Sequence, residues 1–213
     1  FQIVETPPAR KPNIIFILAD DLGYGDLGCY GQRLIRTPHL DQLAADGIRF
    51  TQHYSTAVCA PSRAALMTGQ HMGHCPIRGN RQWEPAGQMP LPAESVTVAE
   101  LLKTAGYATG LVGKWGLGNS GTPGDPLRQG FDEYYGYTDQ VLAHNAFPEY
   151  LLRNGEKEFL PNEARYLPEV EWAKGLGSYS TVKKAFSNDL FTAEALKFIE
   201  KNKNRPFFLY LAY

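Results

Sequence analysis

The run Asn13-Ile14-Ile15-Phe16-Ile17-Leu18-Ala19, closed by Asp20-Asp21, decides the fold. It is a continuous apolar stretch rich in β-branched residues, too short for a free-standing helix and without polar alternation. Such a run suits a strand covered on both faces, as in a parallel sheet. Two carboxylates and a glycine-rich loop (Gly23, Gly25, Gly28) follow it. In an open α/β sheet, ligand groups stand just past the carboxyl ends of strands.

Working outward, Thr37-Pro38 opens a helical pattern through Leu40, Leu43 and Ala44 that Gly47 stops. Ile48 to Tyr54 reads as a short strand. Pro61 starts a second helix that runs to about Thr68 and ends at Gly69. His71 to Pro92 is long, rich in Gly and Pro and without period, and a loop of that length in a compact domain is more often functional than idle. Thr97 and Glu100 form a capping box ahead of Val98, Leu101 and Leu102. Tyr107 to Val112 is a strand that delivers Gly113-Lys114-Trp115 to its carboxyl end. Loops are expected to dominate from Asn119 to Ser180, with a hairpin at Arg153-Asn154-Gly155. Ser187 caps a helix through Leu190, Phe198 and Ile199, and Pro206 to Tyr213 is another apolar strand. Alternating strands and helices predict an α/β fold, a mostly parallel central sheet with helices on both faces. Residues 1–12 read as a linker or the start of a mature chain, and 13–213 as one incomplete catalytic domain.

Composition narrows the function. The chain has 213 residues, 43% apolar, with 21 basic and 22 acidic residues. Balanced charge leaves no electrostatic footprint for nucleic acid and no polybasic membrane anchor. No apolar run approaches the roughly 20 residues of a membrane span, and no signal peptide is visible. The three cysteines, Cys29, Cys59 and Cys75, allow at most one disulfide.

Three groups of residues could carry chemistry. Asp20 and Asp21 repel one another by about 4 kcal/mol at about 4 Å in a medium of intermediate dielectric, and a hard cation such as Ca²⁺, or less readily Mg²⁺, removes that cost. The plainer alternative is a solvated loop. Cys59-Ala60-Pro61-Ser62-Arg63 sets a cysteine at a helix N-terminus, where anions are favoured. Arg63 falls on the same helix face and its guanidinium can hold a tetrahedral oxyanion. The alternative is a structural cysteine beside a surface arginine. Lys114, between two glycines at a strand end, suits an anionic substrate. The histidines His39, His53, His71, His74 and His144 show no zinc spacing, though His71, His74 and His144 lie in loops that could face the site. Together these residues fit transfer of a phosphoryl or sulfuryl group, and the residues alone do not choose between them.

At this point the chain resembles a known family, the type I sulfatases of the alkaline-phosphatase-like superfamily. Cys59-Ala60-Pro61-Ser62-Arg63 with Leu66, Met67, Thr68 and Gly69 resembles the sulfatase signature. Gly106-Tyr107, Thr109 and Gly113-Lys114-Trp115 resemble the second signature, and Asp20-Asp21-Leu22-Gly23-Tyr24-Gly25 the first metal-binding segment. The resemblance implies that a maturation enzyme oxidises Cys59 to formylglycine, whose hydrate attacks the sulfur of a sulfate ester and then expels sulfate. It implies that Asp20, Asp21 and residue 59 hold Ca²⁺, that Arg63 steadies residue 59 and that Lys114 contacts the sulfate. Pro61 and Ser62 become parts of the modification signal. The implied substrate is a sulfated small molecule or, by family habit, a sulfated carbohydrate, with Trp83, Tyr134, Tyr135 and Tyr137 as aromatics that could stack on a ring. The implied location is periplasmic or extracellular, or lysosomal in a eukaryotic host.

Two departures stand out. The family commonly carries a histidine two residues after the signature lysine, where this chain has Gly116, and His144 is the candidate stand-in. The family's further calcium ligands, an Asp-Asn pair, and another histidine and lysine are expected beyond Tyr213, so the chain is expected to be a C-terminally truncated fragment, inactive alone. The competing readings are a phosphatase or phosphodiesterase of the same superfamily, a non-catalytic module that binds sulfated glycans, and an ordinary cysteine hydrolase. The Cys-x-Pro-x-Arg string speaks against the first two, and the want of a distinctive base histidine beside Cys59 against the third.

Overall fold

The structure, a computed structural model, describes residues 11–83, 88–172 and 174–213. Strand β1 (Ile14–Leu18) leads to helices α1 (Pro38–Asp46), α2 (Cys59–Thr68) and α3 (Val98–Thr104). Next come β2 (Ala108–Lys114), β3 (Glu133–Tyr137), β4 (Tyr150–Arg153), β5 (Glu156–Phe159), β6 (Glu163–Tyr166), α4 (Glu169–Trp172) and β7 (Ser178–Val182). Helix α5 (Ser187–Asn202) and β8 (Phe207–Ala212) close the chain. The segment 1–10, most of the expected linker, lies outside the described residues.

One six-stranded sheet, ordered β1-β8-β2-β3-β4-β5, organises the molecule. β1, β8, β2 and β3 run parallel, whereas β4 and β5 are antiparallel additions at the far side. The last strand in sequence inserts between the first two, Ile14 facing Phe208 and Ala108 facing Phe207. Helices cover both faces, as expected. On one face Ala60, Ala64 and Met67 of α2 and Ala99 of α3 pack on Leu111, Phe208 and Tyr210. On the other, Phe191, Ala195 and Phe198 of α5 pack on Val112, Leu209 and Leu211. Each phenylalanine so buried contributes about 2–3 kcal/mol.

Local sequence rules account for most boundaries. Thr97 accepts from the Glu100 amide at 3.2 Å and the Glu100 carboxylate accepts from the Thr97 amide at 2.8 Å, which completes the capping box that starts α3. Asn154-Gly155, with φ of 50° and 97°, make the two-residue turn between β4 and β5.

The structure corrects several expectations. β1 is not covered on both faces: it is the edge strand, with Ile15 46% and Ile17 55% exposed. Its apolar run is the composition of a buried strand, but only one face is packed: Ile14 and Leu18 lie against the core on the α2 side, while Ile15 and Ile17 face away from it. Ile48 to Tyr54 forms no strand. The stretch from Asn119 to Ser180 is richer than loops, since it holds β3, β4, β5, β6 and α4 and reaches into β7. α2 begins at Cys59, two residues before Pro61, and Phe186 rather than Ser187 is the residue that precedes α5. Tyr134, Tyr135 and Tyr137 are core residues of β3, buried and unable to stack on a ligand. No described helix is long and apolar enough to cross a membrane.

Candidate active site

Parallel strands put their carboxyl ends on one edge of the sheet, and the candidate residues gather there. Asp20 follows β1, Lys114 ends β2, and Asp139 follows β3. β8 lies between β1 and β2, so the two are about 10 Å apart, a gap that the long lysine side chain bridges. Lys114 Nζ lies 2.6 Å from Asp20 Oδ2. Gly113 makes the approach of β2 to β8 possible: at φ of 109°, a Cβ there would stand 1.9 Å from the Ala212 carbonyl oxygen.

Arg63 reaches the same point from α2. Its Nη2 pairs with Asp20 Oδ1 at 3.2 Å, and its Nη1 donates to the Lys114 carbonyl and faces the Tyr210 hydroxyl at 3.5 Å. The side chain is 1% exposed, and Nε has no hydrogen-bond partner among the described residues. One guanidinium therefore ties α2 to the ends of β1, β2 and β8. Burial raises the affinity of Asp20 for its proton, but the hydrogen bond and charge of Lys114, with those of Arg63, outweigh it and hold the carboxyl below its ordinary range. Asp21, next to it, adopts the left-handed region at φ of 54°, which Asp tolerates better than most residues.

Cys59 is the first residue of α2 and is half-buried. Val58, ahead of it, supplies no side-chain cap. Asn80, from the loop beyond α2, does so instead: its Oδ1 accepts from the Ala60 amide at 3.0 Å and its Nδ2 faces Cys59 Sγ at 3.7 Å. Ser62 Oγ donates back to the carbonyls of Val58, at 2.8 Å, and Thr56, at 3.2 Å, so the segment before α2 is fastened to it. Cys59, Asp20, Asp21 and Arg63 line one cleft of about 790 Å³, which His71 and Tyr54 also border.

The structure thus brings together Asp20, Asp21, Cys59 and Arg63, with Lys114 behind Asp20. His71 joins them, whereas His74 is outside the cleft lining and meets His71 through an edge-on ring contact at 4.8 Å and a backbone hydrogen bond of 2.9 Å. Two other candidates lie apart from this cleft lining. Trp83 is 51% exposed on the loop that carries Asn80. His144 is exposed, with Nδ1 2.7 Å from the Gly175 carbonyl. Asn80 was not legible beforehand, although it lies in the loop singled out for its length. Nor was Asp139, which is 4% exposed, takes the Leu142 amide at 2.7 Å on Oδ1 and has no hydrogen-bond partner on Oδ2 among the described residues. Burial pushes its carboxyl up, against the pull of the Leu142 and Val141 amides and the charges of His144 and Lys114.

Gly116 departs from the resembled family for a visible reason. Its φ is 74°, and a Cβ would stand 2.5 Å from Gln140 Cγ. The space beside it is filled by Gln140, whose Nε2 lies 3.3 Å from the Gly116 carbonyl.

A divalent cation can be judged against the residues present. Asp20 and Asp21 are hard oxygen donors of the right kind on the cleft wall. Among the described residues no three His, Cys, Asp or Glu side chains converge on one point. The donors fit Ca²⁺ in kind, and they supply only part of the six to eight oxygens it takes.

Comparison with known proteins gives a consistent picture. The family model described as Sulfatase matches residues 12–213. Human arylsulfatase A is 43% identical over 96% of this chain, which corresponds to 41% of that protein. Human arylsulfatase D is 51% identical over 62% of the chain and 24% of its own length. The chain thus spans less than half the length of these relatives. Among solved structures, i-CgsB in complex with k-i-k-neocarrahexaose is 34% identical with a TM-score of 0.70, over 96% of this chain and 45% of that one. A protein solved in complex with its substrate D-glucosamine-2-N,6-O-disulfate is 27% identical with a TM-score of 0.68, over 95% of this chain and 34% of that one.

Proposed function

This chain belongs to the sulfatase family, and on that premise we propose that it carries the nucleophile half of an active site that hydrolyses sulfate monoesters, with residue 59 acting as formylglycine. The observation that carries the reading is the convergence of Asp20, Arg63 and Lys114 at the strand ends, beside Cys59 at the start of α2. As the ester bond breaks, its electron pair goes to the departing oxygen while the other sulfate oxygens stay anionic, and fixed cations aimed at this charge each stabilise the transition state by a few kcal/mol.

Cys59 serves as the precursor of the nucleophile, converted to an aldehyde by a maturation enzyme while the segment through Pro61 and Ser62 is extended. Its place at the N-terminus of α2 puts it at the positive end of the helix dipole, which favours an incoming anion. Arg63 keeps residue 59, Asp20 and the Lys114 backbone in one frame. Lys114, held on Asp20 without substrate, turns its ammonium to a sulfate oxygen when substrate arrives. Asp20 and Asp21, with an oxygen of residue 59, would hold Ca²⁺, which would supply positive charge beside the sulfate group. His144 stands in for the histidine that Gly116 excludes. Trp83, half-exposed three residues from Asn80, offers a face for a sugar ring. A sulfated carbohydrate substrate is supported by the two solved relatives whose bound molecules are a neocarrahexaose and a disulfated glucosamine.

The test is mass spectrometry of the Cys59 peptide from protein co-produced with a maturation enzyme, together with hydrolysis of an aryl sulfate and an aryl phosphate by the full-length protein. Loss of the thiol mass in favour of the aldehyde, with the sulfate ester preferred, is the expected result. An unmodified thiol in an active enzyme, or preference for the phosphate, overturns the reading.

A further inference from the structure

We propose that Asn80 is a positioning residue that fixes the reacting side chain of residue 59 through its carboxamide nitrogen, an inference that rests on the reading of residue 59 as a hydrated aldehyde. A carboxamide has one accepting and one donating end, and its orientation is set by its partners. Here the Ala60 amide, 3.0 Å away, can only donate. The oxygen of Asn80 must face it, so the nitrogen must face residue 59, where Nδ2 lies 3.7 Å from Sγ. Toward sulfur that N–H is a weak contact. Toward an oxygen on the same Cβ it is an ordinary donor.

The consequence is rotational. A hydrated aldehyde carries two hydroxyls and turns freely about χ1, yet only one hydroxyl can attack at a time. A fixed donor takes a lone pair of one hydroxyl, leaves that hydroxyl's proton pointing elsewhere and settles which oxygen faces the cleft. Asn80 is exposed, but the loop that carries it is anchored on both sides. Cys75 and Ile77, just before it, are buried in the core. Arg78 donates to the carbonyls of Cys75, at 3.2 Å, and Gly73, at 2.9 Å. The Met89 amide donates to the Arg81 carbonyl at 2.9 Å just beyond. A donor held this firmly is preorganised, and loss of such a support commonly lowers activity 10–100-fold.

Two substitutions in the full-length, matured enzyme separate this role from simple helix capping. Asn80→Asp keeps the oxygen that caps Ala60 and loses the donor. Asn80→Ala loses both and adds no charge. Rates are normalised to the aldehyde content of the Cys59 peptide by mass spectrometry. The expected result is a melting temperature held by Asn80→Asp and lowered a few degrees by Asn80→Ala, with kcat about 10–100-fold down in both and KM for an aryl sulfate little changed in Asn80→Ala. Recovery of wild-type kcat by Asn80→Asp would reduce Asn80 to a helix cap and overturn the proposal, as would unchanged kcat in Asn80→Ala. Absence of aldehyde in active wild-type enzyme would instead sink the formylglycine reading itself.

Discussion

Lys114 Nζ sits 2.6 Å from Asp20 Oδ2 across the width of β8, and the lysine side chain is only 5% exposed. Arg63 holds the other oxygen of the same carboxylate, and it too is buried. Two buried cations thus share one counter-charge. Asp20→Asn leaves both uncompensated, and in metal-free protein it is expected to cost about 3–5 kcal/mol. Urea unfolding in a chelator measures this, and a cost below about 1 kcal/mol would mean that the cluster behaves like a surface pair.

Gly116 cannot be returned to the family's histidine by a single change. A side chain at φ of 74° costs about 1–2 kcal/mol. The collision with Gln140 adds about 1–3 kcal/mol of overpacking. Gly116→His is expected to lower the melting temperature by several degrees and not to raise turnover. Gly116→His combined with Gln140→Ala should recover part of the stability by opening the space. A single variant as stable as the parent would show that the loop yields freely.

Most of the site was legible because it lies where local rules act. Asp20-Asp21 end a run whose composition names it a strand, and Cys59 to Arg63 start a helix that Pro61 marks. The same rules failed where tertiary context decides. The apolar string of β1 reads as buried, yet only its partners in the sheet determine that it lies at the edge. β3 was missed because Glu133-Tyr134-Tyr135-Gly136-Tyr137 looks like a polar aromatic loop, whereas pairing with β2 and the cover of α5 bury its tyrosines. Asn80 and Asp139 stand 21 and 25 residues from Cys59 and Lys114 respectively, and no spacing rule joins residues brought together only by the folded loops.

Asp139 predicts a pH dependence. Its folded carboxyl is raised by burial, against the Leu142 and Val141 amides and the charges of His144 and Lys114. A raised group gives stability below its unfolded pKa of about 3.9, and that contribution is lost as pH rises through the folded value. Asp139→Asn removes the ionisation and keeps an oxygen for the Leu142 amide. The variant should therefore gain stability over the parent as pH climbs from about 3.5 toward neutrality. Chemical unfolding at several pH values reads the difference, and a gap that does not change with pH would contradict it.

His144 is the assignment on which the catalytic proposal is most exposed. Its Nδ1 lies 2.7 Å from the Gly175 carbonyl. A carbonyl only accepts, so in the neutral ring Nδ1 carries the proton and Nε2 is left as the base. That is the tautomer a stand-in for the missing histidine needs. The ring is outside the lining of the Cys59 cleft. If the imidazole exchanges protons during turnover, His144→Ala in the full-length enzyme lowers kcat about 100-fold or more and removes one limb of the pH–rate profile. His144→Gln keeps a donor for the Gly175 carbonyl but cannot titrate. It should preserve the melting temperature while losing the same limb. Turnover and profile unchanged in both variants would leave the bond to Gly175 as a loop fastening alone.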